Sequence, residues 1–336
     1  MKKRYQITVL GAGSWGTALA ILMARNHHAT CLWTQDNEQA ISLQETRYNT
    51  RYLPDAMFPE GLSVSSDLKT AVTSAEVVLL AVPSQAFAEV LQKIRPYLGS
   101  KPTIIWATKG LDPQTGLLLH TVVSKIVSPQ SQVAVLSGPS FAKEVASGLP
   151  TAITIASPDL DNAEQMADLF RNPQFRVYTS QDIVGVQVGG AIKNILAIAT
   201  GVADGLGFGT NTRAALMTRG LTEMMRFGIQ FGGERETFMG LTGLGDIILT
   251  CTDDQSRNRQ LGLGLGRGHS FADTVTSIAQ EIEGIPTTKT VYQLAQTHGI
   301  DMPITEQVYK VLYQGAKPKD AVNNLLSRLP KPEKLD

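Results

Sequence analysis

The strongest constraint on the fold lies near the start of the chain, where Ile7-Thr8-Val9-Leu10 runs directly into Gly11-Ala12-Gly13-Ser14-Trp15-Gly16. A short apolar, β-branched run reads as a strand, and the apolar spacing from Ser14 to Arg25 reads as the helix that follows it. The three glycines between them have separate duties. Gly11 permits the tight turn, Gly13 lets the backbone approach a pyrophosphate, and Gly16 lets helix and strand pack closely. The helix N-terminus then offers N–H groups to the phosphates. A dinucleotide-binding βα unit is therefore expected, and the loop by itself suits FAD as well as NAD(P).

The same alternation continues. Ala29 to Trp33, Glu76 to Val82 (ended by Pro83), Thr103 to Ala107, Val133 to Leu136, Ala152 to Ile155 and Phe175 to Tyr178 all read as strands. After about Gln181 such runs vanish. Helical spacing takes over in Ile183 to Thr200, Arg213 to Phe231, Val291 to Thr297, Thr305 to Leu312 and Ala321 to Leu326. The prediction is an α/β chain with an N-terminal Rossmann-type doubly wound sheet over residues 1–185. An all-helical C-terminal domain follows over 186–330, with a Pro/Lys-rich tail at 331–336.

The ribose contact is less defined. An acid about 20 residues past the glycines would favour NAD through the 2′-hydroxyl. Here Trp33-Thr34-Gln35-Asp36 puts Gln35 at the strand tip and the acid one residue late, where Asp36 reads equally well as a helix cap. NAD and NADP both stay open.

Charge narrows the partners. Lys plus Arg and Asp plus Glu each number 30, so nothing favours nucleic acid or an anionic membrane in bulk. An anionic substrate must be caught by a few local cations. Cys31 and Cys251 make no disulfide framework, which fits the cytoplasm. Met1-Lys2-Lys3-Arg4 opens like a secretory signal, but the glycines from Gly11 interrupt the apolar stretch at once, so none is expected. No stable membrane insertion and no metal site are expected either.

Three stretches carry chemistry. The first is Gly189-Gly190-Ala191-Ile192-Lys193-Asn194-Ile195-Leu196, which sets one lysine and one asparagine inside an apolar helix. Burial lowers a lysine's pKa towards neutrality, the condition for moving a proton to or from a substrate oxygen. Lys193, Ala197, Thr200 and Asp204 share one helical face. The plainer alternatives are a lysine reaching to the surface or one paired for structure. The second comprises the turns Ala107-Thr108-Lys109-Gly110 and Ser137-Gly138-Pro139-Ser140-Phe141-Ala142, each after a strand, where ligands of doubly wound sheets bind. Lys109 could meet substrate charge, and Gly138 and Ser140 could offer hydrogen bonds; each could also be only a loop. The third is Gly243-Leu244-Gly245-Asp246, Thr250 and Gln255-Ser256-Arg257-Asn258-Arg259. Asp246 reads by default as a helix N-cap, and Ser256-Arg257-Asn258 as a phosphate clamp or a solvated loop. Gly262 to Gly268 has spaced glycines but no strand before it, so it is not a second phosphate loop.

Together these stretches resemble the NAD(P)-dependent glycerol-3-phosphate dehydrogenases of bacterial type, across essentially the whole chain. The most specific part is Gly190 to Asn194 continuing through Gly201-Val202-Ala203-Asp204-Gly205-Leu206-Gly207-Phe208-Gly209-Thr210-Asn211. The resemblance implies reversible reduction of dihydroxyacetone phosphate to sn-glycerol 3-phosphate with NAD(P)H, supplying phospholipid synthesis, in a cytoplasmic homodimer. It implies Lys193 as proton donor to the carbonyl oxygen. Lys109, Gly138, Ser140, Lys193, Asp246, Thr250, Ser256, Arg257 and Asn258 are then implied at the phosphorylated substrate. Gly11, Gly13, Ser14, Trp15, Gly16, Gln35, Lys109, Ala142, Arg257 and Glu283 are implied at the cofactor. Gln35 departs from the basic residue often found in NADPH-using members. A β-hydroxyacid dehydrogenase and a non-catalytic NAD(P)-sensing protein are the rival readings.

Overall fold

Two units are distinguished in the computed structural model, which describes residues 3–329. One comprises the chain up to Thr108 and Leu119–Ile183; the other comprises Lys109–Leu118 and the chain from Val184 onward. The tail expected at 331–336 lies outside the described residues.

The first unit runs β1 (Gln6–Leu10), α1 (Ser14–Arg25), β2 (Ala29–Trp33), α2 (Asn37–Thr46), β3 (Tyr48–Asn49), β4 (Leu53–Met57), β5 (Leu62–Ser65) and α3 (Leu68–Thr73). It continues with β6 (Val77–Leu80), α4 (Ser84–Ile94), β7 (Thr103–Trp106), α5 (Leu119–Ile126), β8 (Gln132–Ser137), α6 (Ala142–Ser147), β9 (Thr151–Ala156), α7 (Leu160–Phe170) and β10 (Phe175–Ser180). Eight strands form one sheet in the order β10-β9-β8-β7-β6-β1-β2-β5. β1 lies inside the sheet, paired in parallel with both β2 and β6. Its near-continuous Ile-Thr-Val-Leu run is what burial on both faces demands.

Alternate strand residues face a core built with α1, including Ile7, Val9, Leu79, Ile105, Leu19 and Met23. Trp106, fully buried, packs edge-on against Phe87 of α4. Asp36, Asp67 and Asp159 cap α2, α3 and α7 by accepting backbone N–H bonds. Each such cap contributes about 1 kcal/mol.

Two details depart from the sequence expectation. β5 and the β3–β4 hairpin had no readable signal, because β5 sits at the sheet edge and carries alternating serines. In addition, β9 pairs antiparallel with β8 in an otherwise parallel sheet.

The second unit holds α8 (Ile183–Gly205), α9 (Thr210–Gln230), α10 (Arg235–Met239), α11 (Asp246–Thr252), α12 (Arg257–Gly266), α13 (Phe271–Ile278), α14 (Gly284–His298), α15 (Pro303–Tyr313) and α16 (Pro318–Leu326). By length and composition α8 could cross a membrane, although polar side chains break its apolar run. Here 94% of its apolar window is buried inside the protein. It serves as the central core element, contributing Val188, Ile192, Ile195 and Ile198 to a core that also holds Leu221, Met224, Phe238, Ile247 and Leu261.

Glycines let α8 and α12 touch backbone to backbone. A Cβ at Gly201 would lie 2.3 Å from the Arg259 carbonyl oxygen, and one at Gly205 would lie 2.5 Å from that of Leu263. From the other side, a Cβ at Gly262 would lie 2.2 Å from the Ile198 oxygen, and one at Gly266 2.4 Å from that of Val202. The spaced glycines at 262–268 are thus mostly helical packing positions, in keeping with their rejection as a phosphate loop. Glu223 of α9, buried, accepts bonds from the backbone N–H groups of Ile304 and Thr305 and from the Thr305 hydroxyl. It thereby caps the first turn of α15 from another helix.

Candidate active site

In the first unit the glycine loop has the shape its sequence asks for. Gly11 sits at φ +111°, and a Cβ there would stand 2.8 Å from the Ala81 carbonyl oxygen of the neighbouring strand's end. A Cβ at Gly16 would fall 1.9 Å from the Gly11 oxygen, so helix and turn are in direct contact. At Gly13 the position of a Cβ meets nothing within 4 Å. That open position lies at the N-cap of α1, where no side chain caps the helix. A tight turn with open space before a helix N-terminus fits a pyrophosphate.

Asn49, almost fully buried, braces the loop from below. Its side-chain amide donates to the Ala12 carbonyl at 3.0 Å and to the Thr17 hydroxyl at 2.8 Å. Sequence reasoning missed it, since a lone Asn in a polar stretch gives no sign of such reach. The indole N–H of Trp15 is buried without a hydrogen-bond partner. Gln35 is exposed at the tip of β2, and Asp36 caps α2 through the N–H groups of Glu38 and Gln39. Past β8, Gly138 adopts φ +133° with its would-be Cβ 3.1 Å from Ile153 Cα. The Ser140 hydroxyl donates to the Gly138 carbonyl at 3.0 Å, and Ala142 opens α6.

In the second unit Lys109, Lys193, Asp246 and Thr250 come together. Asp246 is fully buried, and its two carboxylate oxygens divide between two ammonium groups. Lys193 Nζ lies 2.7 Å from Oδ1 and Lys109 Nζ 2.7 Å from Oδ2. Lys193 also donates to the Thr250 hydroxyl at 2.8 Å, which in turn donates to Asp246 at 3.2 Å.

Local geometry explains the meeting. Gly189 and Lys193 are one turn apart on the same face of α8. A Cβ at Gly189 would lie 2.3 Å from the Thr242 carbonyl oxygen. The π-helical turn Leu241–Gly245 therefore presses directly on α8, and Asp246, four residues after Thr242, arrives opposite Lys193. Gly243 makes that turn possible, since a Cβ there would sit 1.9 Å from the Phe238 oxygen.

The reading of Asp246 as an N-cap is corrected by this arrangement. Gly245 occupies the cap position with helical dihedrals, and the Asp246 carboxylate faces the lysines. Lys193 does not reach to the surface. Burial pushes its pKa down to about 8, with the Asp246 carboxylate opposing that shift and the Lys109 charge adding to it.

Beside this cluster, Ser256 caps α12 by accepting the N–H of Arg259, so residues 256–258 form a helix start and no solvated loop. Arg257 stands half-buried in the first turn. Asn258 donates to the Asn194 side-chain oxygen at 3.0 Å and accepts the Gly284 N–H at 2.9 Å. The residue after the catalytic candidate on α8 is thereby linked to the segment that carries Glu283. Arg259 binds Asp204 of α8 and Asp254, and Arg213 of α9 joins the same Asp204. Only the shared helical face of Lys193 and Asp204 hinted at this second ion cluster.

Comparison with known proteins adds a second line of observation. Residues 6–163 match the profile described as NAD-dependent glycerol-3-phosphate dehydrogenase N-terminus, and residues 182–323 match the corresponding C-terminus. A protein of Colwellia psychrerythraea named glycerol-3-phosphate dehydrogenase (NAD(P)+) is 53% identical over 324 residues, covering 96% of this chain and 97% of the relative. One of the same name from Thioalkalivibrio sulfidiphilus is 54% identical over 327 residues, covering 97% and 98%. The crystal structure of glycerol-3-phosphate dehydrogenase from Coxiella burnetii superimposes with a TM-score of 0.94 at 46% identity, covering 97% of this chain and 99% of that one.

Proposed function

The chain belongs to the NAD-dependent glycerol-3-phosphate dehydrogenase family, and from that premise we propose that it reduces dihydroxyacetone phosphate to sn-glycerol 3-phosphate reversibly, with Lys193 as the proton donor. The observation that carries the role of Lys193 is its setting: a buried ammonium with a pKa near 8, held by Asp246 and Thr250. A group titrating near the working pH both gives up and takes back a proton readily.

NAD(P)H, when bound, supplies the hydride to the carbonyl carbon. As negative charge grows on the carbonyl oxygen, the Lys193 ammonium stabilises it and passes over a proton, leaving a neutral amine. General acid catalysis of this kind contributes roughly 10²–10⁴-fold. Asp246 holds the ammonium in place, Thr250 fixes its direction, and Lys109 keeps the carboxylate balanced when Lys193 loses its charge. Ser256, Arg257 and Asn258 bind the substrate phosphate, where the planar guanidinium suits two phosphate oxygens at once. Gly138 and Ser140 complete the substrate contacts. Gly11, Gly13, Ser14, Trp15, Gly16, Ala142 and Glu283 hold the cofactor, with Lys109 and Arg257 contributing to both ligands.

Gln35, exposed and uncharged, can donate to a 2′-phosphate or accept from a 2′-hydroxyl, which supports use of both nicotinamide cofactors. The reading extends to a cytoplasmic homodimer that feeds glycerol phosphate to phospholipid synthesis; light scattering tests the dimer.

The deciding experiment follows NADH and NADPH oxidation side by side with dihydroxyacetone phosphate and with small 3-oxo acids. Turnover restricted to the phosphorylated ketone is expected. Preference for the oxo acids would make this a β-hydroxyacid dehydrogenase, and cofactor binding without turnover would make it a sensor.

A further inference from the structure

Within the helical unit, α12 is fastened to α8 by two adjacent side chains that reach different levels of that helix. Asn258 engages Asn194, next to Lys193, while Arg259 engages Asp204 ten residues further along. Arg259 is buried, and its Nε also lies 2.9 Å from the Asp254 carboxylate just ahead of α12. On its other side the Asp204 carboxylate receives Arg213 of α9 at 2.9 Å. The glycine crossing lies beside these contacts, and the Arg259 carbonyl oxygen itself presses on Gly201.

Burying a guanidinium between carboxylates is a costly way to hold two helices together, and apolar residues of the same volume often do as well. What such a pair adds is a single permitted arrangement. Residues 257 and 259 point about 200° apart around a helix. Seating Arg259 on α8 therefore fixes the rotation of the first turn of α12 and turns Arg257 to the opposite side. The glycine contacts, with Gly262 and Gly266 against the Ile198 and Val202 carbonyls, set the spacing and the facing sides further along α12, and the side chains at 258 and 259 hold its first turn.

We infer that the Asp204–Arg259 pair is a positioning device for Arg257, holding its guanidinium at a set separation from the Lys193 ammonium so that the site accepts a ketone whose phosphate lies one carbon from the carbonyl. The inference rests on the proposed role of Arg257 at the phosphate. α8 acts as the ruler: it carries Lys193 and Asp204 on one rigid rod, and α12 is registered against it.

The test measures kcat and KM for dihydroxyacetone phosphate and for unphosphorylated dihydroxyacetone in the wild type, Arg259→Lys, Asp204→Asn, Arg213→Gln and Arg257→Ala. Arg259→Lys keeps the charge and loses the fork, and Asp204→Asn keeps the volume. Both are expected to raise KM for the phosphorylated ketone about tenfold or more, with kcat/KM for dihydroxyacetone at saturating NAD(P)H unchanged. Arg213→Gln, which touches Asp204 only from α9, is expected to leave both substrates unaffected. Asp204→Asn separates position from simple electrostatics. Removing a negative charge would by itself strengthen phosphate binding, whereas the loss of position weakens it. A lowered KM in that variant overturns the inference, and so does an equal loss on both substrates or no change at all. If Arg257→Ala leaves the preference for the phosphorylated ketone intact, the phosphate reading beneath the inference has failed instead.

Discussion

Replacing Asp246 by Asn probes the catalytic cluster most directly. The substitution keeps the shape of the side chain but removes the one carboxylate that lies 2.7 Å from both Lys109 and Lys193. The two influences left on Lys193, burial and the charge of Lys109, both lower its pKa. In the wild type, the fall from 10.5 to about 8 corresponds to roughly 3 kcal/mol against the protonated form. An opposite charge in close contact is worth about 4 kcal/mol at an effective dielectric constant near 20. Losing even a third of that moves the pKa down by about one unit.

Ketone reduction needs protonated Lys193, so kcat in the wild type should fall as pH rises through about 8. In Asp246→Asn that alkaline limb should move to about pH 7 or below. At pH 8 the protonated fraction would drop from about one half to about one tenth. Loss of a fixed proton position should cost a further ~10²-fold. The assay is NAD(P)H oxidation with saturating dihydroxyacetone phosphate across the pH range, with the reverse reaction as a check. There the acid limb, set by the same lysine, should shift downward by the same amount. An alkaline limb that stays where it was would refute the assignment of Lys193 as the titrating acid, however far kcat fell.

Lys193→Ala should lower kcat by ~10² or more while cofactor affinity, read by NAD(P)H fluorescence, stays near the wild-type value. Near-normal turnover would reject the role. Gly201→Ala places a methyl group 2.3 Å from the Arg259 oxygen, where only backbone can yield. The strain of about 1–3 kcal/mol should outweigh the ~1 kcal/mol gained in helix propensity, and thermal denaturation should show a lower Tm. Burial raises the Glu223 pKa from 4.5 to about 7, so the folded chain binds this proton more tightly than the unfolded one between those values. Its contribution to stability is full below about pH 4.5 and is lost as pH rises towards 7. The stability of the wild type relative to Glu223→Gln, followed by denaturant titration, should decline over that window, and a constant difference would contradict the linkage.

The parts of the molecule legible in the sequence were those written in neighbouring residues. β1 and β2, the start of α1 and the change to helices near residue 183 all follow from local periodicity and glycine placement. The apolar surroundings of Lys193 were legible for the same reason. Its partner was not, because Asp246 lies 53 residues away and only the pressure of Thr242 on Gly189 brings the two together. A cap reading of Asp246 was the best local guess, and tertiary contact overrode it. The same holds for Glu223, which caps α15 from a position 81 residues earlier. α12 escaped notice because its glycines weaken a helical pattern, although they are there to admit α8. β8 and β9 looked like any other pair of strands, since relative direction leaves no mark in apolar spacing.

Residues Lys109–Leu118 group with the helical unit, although the chain reaches them between β7 and α5. The stretch recognisable as the C-terminal half of the family begins only at residue 182. The stretch that matches the family and the compact unit therefore have different boundaries. A gene fragment starting at residue 182 would encode every helix of the second unit, yet it would lack Leu111 and Leu118 from the core and the cation that shares Asp246 with Lys193. Swapping that half between relatives as a cassette would bring in Asp246 from one parent and Lys109 from the other.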